Sequence, residues 1–371
     1  MKRITTYLLA CLMLSACIYP LDIQSEDNLQ DILVVDGTII IGAESTITLS
    51  RMLPLNNDGK GAFKYLTSRI EASVTLENDG GLSITKDNFP YVFDTSTADP
   101  EKSYRLTVVC AGKTYRTSWI KPMPAPKITS VDFSADDTNV FVKLSLDGTQ
   151  NGLGYASAQY DAIWKFHADY VRILDYIPED NAIVGIEDPD YTFYECWMKT
   201  IGRQQTIIDY ANTGGIAKDY PLLFFPRTSN RNHYNYSILV KVRNLTEQEY
   251  RYWKQLSDTE GQASTLFSPE PANASSNLVC ESDPSVKVFG YVGVSRMEYY
   301  IASIGSEYLI YGQPPRLTVI EPEDYYSYYS LGYYPITVTT GGFGWGPKSC
   351  FNCVSAGGTL QRPSFDLPKD Y

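Results

Sequence analysis

Alternation of apolar and polar residues with a period of two recurs along most of this chain of 371 residues and constrains its fold more than any other feature. In residues 45–50, for example, Ile47 and Leu49 fall on one face of a strand and polar residues fall on the other. Short strands joined by turn signals are typical of antiparallel sandwiches, so we predict a mainly all-β protein. Further predicted strands lie at 32–35, 72–76, 82–84, 104–109, 114–119, 140–146, 160–173, 191–198, 205–208, 236–242 and 286–294.

A proline-rich segment suggests where the chain divides. Three prolines alternate with other residues in Lys121-Pro122-Met123-Pro124-Ala125-Pro126, a pattern that favours a stiff, extended connection. We predict an N-terminal immunoglobulin- or prealbumin-like β-sandwich over 31–120 and a linker over 121–127. A larger β-sandwich-like domain would follow over 128–345, and a tail that contains cysteine and glycine over 346–371.

A single segment of the larger domain has a convincing helical pattern. Thr246 and Glu249 fit a capping box, in which each side chain bonds a free amide at the start of a helix. Tyr250, Trp253 and Leu256 follow on one helical face. We expect one short helix that packs this aromatic stripe on a sheet.

The N-terminus has the anatomy of a secretory signal. Lys2 and Arg3 precede an apolar stretch that is too short to cross a bilayer. Residues 14–17, Leu-Ser-Ala-Cys, resemble the bacterial lipobox, in which cleavage leaves the cysteine as the acylated first residue. We therefore predict a lipoprotein signal peptide over 1–16 and lipidation of Cys17.

The mature chain is expected to be soluble in fold and tethered by lipid. Residues 17–30 would form the lipidated tether, and no other segment is long and apolar enough to span a membrane. Ile18 replaces the aspartate that favours inner-membrane retention, so we predict the outer membrane, on either its periplasmic or its surface face. A net charge of −12 repels phosphate backbones and argues against nucleic acid as a partner.

Five cysteines lie beyond the signal region, and this odd number leaves at least one thiol free. We predict a structural disulfide, either within Cys350-x-x-Cys353 or from one of these two residues to Cys196 or Cys280. Cys110 lies in an apolar strand and fits a small core residue. The chain offers too few histidines for a zinc site, so we predict no metal and no cofactor.

Signals for catalysis are weak. The chain has no G-x-S-x-G elbow, Walker A motif, dinucleotide fingerprint or H-E-x-x-H sequence. His167 and His233 fit structural positions at strand edges, and the acidic segment 175–190 fits a solvated loop better than a calcium site. A pair of carboxylates suited to glycoside hydrolysis stays open, because their separation in space cannot be read from a sequence.

Tyrosine is concentrated near the C-terminus, with ten residues between positions 299 and 334. A tyrosine ring offers an apolar face and a hydroxyl group, which suits a sugar or a protein partner. Burial in a β-rich core is an equally good interpretation. The candidate ligand or partner contacts are Tyr325, Tyr326, Tyr328, Tyr329, Tyr333, Tyr334 and Trp345.

Taken in order, several motifs carry a resemblance over essentially the whole mature chain. They are the lipobox at Cys17, Val34-Val35-Asp36-Gly37, Ser103-Tyr104-Arg105-Leu106, Cys196-Trp197, 236–240 before the helix, Phe289-Gly290-Tyr291, Cys350-x-Asn352-Cys353, Gly357-Gly358-Thr359 and Arg362-Pro363-x-Phe365. This order resembles domain of unknown function 4249, a lipoprotein family of the Bacteroidota.

The resemblance implies an outer-membrane lipoprotein of a kind commonly encoded beside a TonB-dependent nutrient transporter. No catalytic residues are established for the family, so none are carried over. Our leading hypothesis is a non-enzymatic accessory or ligand-binding protein of such a transporter, with a glycan or peptide as ligand. The alternatives are a surface-tethered hydrolase of glycan or peptide and a structural or adhesive envelope protein.

Overall fold

A computed structural model describes residues 32–51, 70–151, 154–202, 205–262, 276–305 and 314–368. Within these ranges the chain is mainly β-strand, so the predicted fold class is confirmed. The predicted signal peptide, the tether and the lipidation site at Cys17 lie outside the described residues.

The strands of the described chain are β1 (Leu33–Ile40), β2 (Glu44–Arg51), β3 (Ala72–Asn78), β4 (Ser83–Lys86), β5 (Tyr91–Asp94), β6 (Tyr104–Cys110), β7 (Lys113–Thr117), β8 (Lys127–Ala135), β9 (Asn139–Asp147), β10 (Tyr155–His167), β11 (Leu174–Ile177), β12 (Ala182–Gly185), β13 (Glu195–Ile201), β14 (Thr206–Asp209), β15 (Ile216–Pro226), β16 (Tyr236–Asn244), β17 (Leu278–Cys280), β18 (Val288–Phe289), β19 (Val292–Ser295), β20 (Met297–Ser303), β21 (Thr318–Val319), β22 (Tyr333–Thr339) and β23 (Gly342–Pro347). Its α-helices are α1 (Glu247–Gln262) and α2 (Tyr325–Ser330).

The first sandwich packs two sheets face to face. One sheet has the order β18-β1-β2-β5, with β19 also beside β1, and the other has the order β17-β7-β6-β3-β4. Ile47 is fully buried between them and Leu49 is half-buried against the same core, as their alternation predicts. Their polar neighbours on β2 therefore point away from the sandwich interior.

Strands from late in the chain complete this first sandwich. Leu278 of β17 lies opposite Thr117, and β18 and β19 run parallel to β1. The strand pairing thus differs from the predicted domains 31–120 and 128–345, since the chain returns to its first domain after residue 277. Strands β18 and β19 thereby pair with the edge of β1, which would otherwise be open. A sequence pattern does not show which distant strand pairs with such an edge.

A glycine allows β18 and β19 to share β1. Gly290 lies between the two strands with φ +101°, and a Cβ there would collide with the backbone carbonyl of Val35. The chain therefore crosses closely over β1 at this point, which only glycine permits. Two motifs of the family resemblance, at 34–37 and 289–291, meet here.

The second sandwich is built from the middle of the chain. One sheet has the order β13-β10-β16-β20, with β14 also beside β10, and the other has the order β15-β9-β8. Trp164 and Tyr236 lie between the sheets and are almost fully buried. The proline-rich connection lies against the first sandwich, where the amide of Met123 donates to the carbonyl of Val294 at 2.9 Å.

Helix α1 lies at the junction of the two sandwiches. The hydroxyl of Thr246 accepts a hydrogen bond from the amide of Glu249 at 3.1 Å, so the predicted N-cap is present. The Tyr250 ring stacks on a β10 residue, Tyr155, at 4.2 Å. The most buried aromatic ring of the helix is Tyr252, off the predicted stripe, because it packs against Tyr291 between β18 and β19.

Candidate functional site

The tyrosine-rich region forms a small third unit rather than a surface for contacts. It contains the β11-β12 hairpin, the β21-β23-β22 sheet and α2. Tyr325 and Trp345 are buried there, with ring centroids 5.1 Å apart, and Tyr176 packs against both. These two rings form the core of the unit, which agrees with burial, the alternative to a ligand or partner contact in the sequence analysis.

The other predicted contact tyrosines differ in exposure. Tyr326 is 64% exposed. The remaining four are half-buried and pack edge to face in two pairs, Tyr328 with Tyr333 and Tyr329 with Tyr334. These pairs extend the core of the third unit, so Tyr326 alone of this set offers an open ring.

A disulfide joins Cys196 of β13 to Cys353, with the Cα atoms 5.7 Å apart. This is one of the pairings that the sequence analysis left open. Cys110, Cys280 and Cys350 are unpaired and buried, so the C-x-x-C motif does not close on itself. The bond fastens the C-terminal segment to the second sandwich across 157 residues of sequence, a structural role.

Beyond the disulfide, the chain runs along the β13 edge of the second sandwich. Thr359 exchanges two backbone hydrogen bonds with Trp197, and the guanidinium of Arg362 lies over the Trp197 ring at 5.1 Å. The ammonium of Lys199 then donates to the Asp366 carboxylate at 2.8 Å. These contacts carry residues 366–368 to the junction of the two sandwiches.

The two histidines form a ring stack. The ring centroids of His167 and His233 are 4.2 Å apart. The Tyr194 ring also stacks on His167, with the ring centroids 5.3 Å apart. Burial, with a smaller effect of His167, lowers the pKa of His233 to about 4, so its imidazole is neutral at neutral pH. Among the described residues, no group of three histidine, cysteine or acidic side chains comes together as metal ligands would.

A cavity of about 670 Å³ lies where the two sandwiches meet. Its size falls within the range of ordinary small-molecule sites. One wall belongs to the first sandwich, the other to the second, and residues 366–368 form part of the rim. None of the sequence-predicted contact residues lines it.

The first wall is the outer face of β1 and β2. Asp36, Thr38 and Ile40 alternate along β1 and line the cavity, since every second residue of a strand points to the same side. Glu44 and Thr46 line it from β2. The inward neighbours Val35, Ile39 and Ile47 belong to the sandwich core, so the fold that buries one face of these strands presents the other face to the cavity.

Asp36 is the notable group on this wall. Its side chain is exposed to the cavity yet surrounded by both sandwiches, and the resulting loss of hydration raises its pKa. The Gly37 amide and the positive charge of Arg243 oppose that rise, and the negative charge of Glu249 adds to it. Gly37 also brings β1 close to β2, because a Cβ there would lie 2.7 Å from the Ile47 Cδ1 atom.

The second wall is a cross-strand row on the second sandwich. Gln159 of β10, Lys241 of β16 and Tyr299 of β20 lie side by side in register and line the cavity. The next row adds Arg243 and Met297. Burial raises the pKa of Tyr299 to about 12, so its hydroxyl keeps its proton and can donate a hydrogen bond.

Both cations of the second wall are already paired. Lys241 lies 2.6 Å from an oxygen of Asp161, and Arg243 lies 2.7 Å from an oxygen of Glu249. Three of these side chains are at least 95% buried, and Lys241 is 20% exposed. The wall therefore carries charge but little net charge.

The sequence contained only a partial signal for this site. Asp36 stands in one of the motifs of the family resemblance, and a charged residue between apolar strand residues marks an outward position. Nothing in the sequence shows that β1 and β16 face each other, because that depends on how two sandwiches dock. The cavity could therefore not be predicted from spacing.

Three solved structures illustrate the likenesses of the chain. A segment with two fibronectin type III domains from chicken tenascin is 9% identical, with a TM-score of 0.17, over 57% of this chain and 89% of that one. A protein from Bacteroides uniformis, named as a candidate carbohydrate-binding protein, is 11% identical, with a TM-score of 0.18, over 73% and 98%. The alpha chain of the chicken interferon gamma receptor is 9% identical, with a TM-score of 0.15, over 57% and 86%.

The remaining comparisons concern sequence families. No curated protein matches the chain. The family described as domain of unknown function DUF4249 matches residues 18–299. Because this match spans most of the chain, the resemblance that its motifs indicated is confirmed, and the chain belongs to the DUF4249 family.

Proposed function

We propose that this chain is a lipid-anchored, non-enzymatic binding protein of the outer membrane that works with a TonB-dependent nutrient transporter. The observation that supports it is the cavity of about 670 Å³ between the two sandwiches, with its polar and charged walls. Ligand sites commonly lie at such junctions between domains. The cavity, rather than the tyrosine-rich unit, is the ligand site of this proposal.

The two buried carboxylates of the second wall are unsuited to catalysis. A glycosidase of the common type needs two free carboxyl groups across the scissile bond. On the second wall Asp161 and Glu249 are buried and held by Lys241 and Arg243. Neither of these two carboxylates lines the cavity, so neither is placed to attack a bound substrate.

The anchor part of the proposal depends on the N-terminal sequence, with its charged start, apolar stretch and lipobox ending at Cys17. In the part of the chain that the structure describes, no helix is long and apolar enough to cross a bilayer. Two or more acyl chains hold a protein stably at a membrane where one does not. Lipid on Cys17 would thus keep the cavity at the membrane surface.

Affinity purification from outer membranes in mild detergent tests this proposal. The tagged full chain is expected to carry acyl groups on Cys17 and to bring down a TonB-dependent transporter in stoichiometric amount, as detected by mass spectrometry. Cys17→Ala should abolish both results. Cys11→Ala is the matched control, because that cysteine lies within the predicted signal peptide. Recovery of the wild-type chain alone, across several detergents, would overturn the transporter partnership.

A surface-tethered hydrolase is the second candidate, and Asp36 is the observation that favours it. A carboxyl group whose pKa is raised in a cavity can act as a general acid. The test is hydrolysis of nitrophenyl glycosides and of fluorogenic peptides by the full chain. Turnover that Asp36→Asn abolishes would establish the hydrolase, and the absence of turnover on both substrate classes would leave binding as the function.

A further inference from the structure

We propose that the cavity takes a ligand that carries a primary ammonium or guanidinium group, held against the carboxylate of Asp36. The inference rests on the proposed binding function and adds the chemical class of the ligand. A free polyamine and a basic peptide share this chemistry. The proposed ligand is a cation although two of the residues that line the cavity, Lys241 and Arg243, are themselves cationic.

The cations of the second wall are not available to an anionic ligand. Lys241 and Arg243 would attract an anionic ligand if they were free. Each is instead within 2.7 Å of a buried carboxylate, Asp161 and Glu249 respectively. An anion would have to compete with a carboxylate already in place, and breaking either pair would leave a buried charge, which is unfavourable.

Asp36 is the carboxylate that a cationic ligand would contact. Its carboxylate faces the cavity and, among the described residues, forms no ion pair at 4.0 Å or less; its hydrogen-bonding partner is the Gly37 amide. It has lost part of its hydration, and the charge of Arg243, which forms no ion pair with it, only partly offsets that loss. A ligand ammonium or guanidinium group would supply that cation and at the same time a charge-assisted hydrogen bond.

Two further acids line the cavity from the first sandwich. Glu44 of β2 and Asp94 of β5 are directly opposite each other in the antiparallel ladder, and both line the cavity. Both therefore add negative charge around the cavity that holds Asp36. With a net charge of −12, the whole chain also attracts cations from a distance.

The apolar part of the cavity fits the carbon chain of such a ligand. Ile40, Met297 and Leu367 line it together with the ring of Tyr299. Polymethylene segments of polyamines, lysine and arginine pack on surfaces of this kind while their charged ends contact polar groups. A small inorganic cation would leave this apolar surface unused.

Isothermal titration calorimetry on the full chain in mild detergent tests the inference, with spermidine and tri-lysine as probes. The dissociation constant of at least one probe is expected to rise by about tenfold or more in Asp36→Asn. Asp188→Asn, which removes the same charge from an exposed loop outside the cavity, should leave it unchanged. Glu44→Gln provides a second variant on an exposed strand position, with a smaller loss in the same direction.

The pattern of binding identifies the class of the ligand. Binding of spermidine alone identifies a free polyamine, and binding of tri-lysine alone identifies a basic peptide; both support the inference. Failure of both probes to bind at about 1 mM, or equal affinity in the wild type and in Asp36→Asn, would overturn it. Maltotriose and tri-glutamate are titrated in parallel. If one of them binds and Tyr299→Ala weakens it, the cation inference fails while the proposed binding function stands.

Discussion

The two walls of the cavity use charge in opposite ways. On the second sandwich, Arg243 and Lys241 are each matched by a buried carboxylate. On the first sandwich, the carboxylate of Asp36 faces the same space without a cation of its own among the described residues. The charged residues that line a cavity therefore indicate a ligand only when their ion-pair partners are known. The charges of one wall neutralise each other, and the other wall keeps a charge available for a ligand.

The largest expected effect comes from breaking the pair between Arg243 and Glu249. Glu249→Gln leaves a buried guanidinium without its counter-charge, so we expect a loss of about 3–5 kcal/mol in the free energy of unfolding. Glu247→Gln is the matched control, because its partner Arg251 is 73% exposed, and it should cost less than about 1 kcal/mol. Urea denaturation measures both. Equal effects for the two variants would show that the second wall does not depend on its buried pair.

Removal of the disulfide tests how the rim is held against both walls. Cys353→Ser should lower the free energy of unfolding by about 2–4 kcal/mol, because the unfolded chain regains the entropy that the cross-link removes. Cys350→Ser changes a buried but unpaired thiol close by and serves as the comparison. Thermal or urea unfolding under non-reducing conditions gives both values. An effect of Cys353→Ser no larger than that of Cys350→Ser would contradict a stabilising role of the disulfide.

A smaller effect is expected at the other pair of the second wall. Asp161→Asn leaves Lys241 without its partner, but this side chain is 20% exposed and can turn its ammonium toward water. We expect a loss of about 1–3 kcal/mol, below that of Glu249→Gln, in the same urea experiment. A larger loss than for Glu249→Gln would mean that Lys241, and not Arg243, is the buried charge that organises this wall.

The smallest effect on stability, and one of opposite sign, is expected on the first wall. Burial raises the pKa of Asp36, and the negative charge of Glu249 adds to that rise, while the Gly37 amide and the positive charge of Arg243 oppose it. The folded state therefore binds the Asp36 proton more tightly than the unfolded chain does, and this contribution to stability is lost as the pH rises through the folded-state pKa. Asp36→Asn should raise the Tm at neutral pH.

The pH dependence supplies the check on that sign. The gain in Tm of Asp36→Asn over the wild type should be larger near pH 7 than near pH 4, because protonation of the wild-type carboxyl group increases as the pH falls. Scanning calorimetry at several pH values measures it. A wild type that is more stable than the variant at neutral pH would show that Asp36 is a structural carboxylate with a cation partner.

Local features of this fold could be predicted from the sequence, and features that depend on docking could not. The alternation around Ile47 gave the correct buried face, and Thr246 marked the correct start of α1, because both depend on neighbours in the chain. The burial of Tyr252 depends on Tyr291, which returns from a distant segment. Asp36 and Arg243 also come from distant segments, and tertiary packing alone places them near enough for the charge of Arg243 to affect the Asp36 carboxyl group.

Cysteine and tyrosine illustrate the same limit. Spacing identified a disulfide but left its partners open, since pairing depends on which strand lies beside Cys353. The composition of the tyrosine-rich region fitted a surface and a core equally well, and the packing of Trp345 with Tyr325 decided for the core. In both cases the residue types were informative and their surroundings were needed for the assignment.

Methyl NMR on the full chain, labelled at its methionine methyl groups, tests most directly that the cavity is the ligand site. Met297 lines the cavity, whereas Met198 lies in a separate groove beside the C-terminal segment. Met297→Leu assigns the first resonance, and Met198→Leu assigns the second. On addition of spermidine, the Met297 signal should shift in the wild type and stay in place in Asp36→Asn, with Met198 constant in both. A Met297 signal that does not move, or a shift of Met198 instead, would contradict a cation site between the two sandwiches.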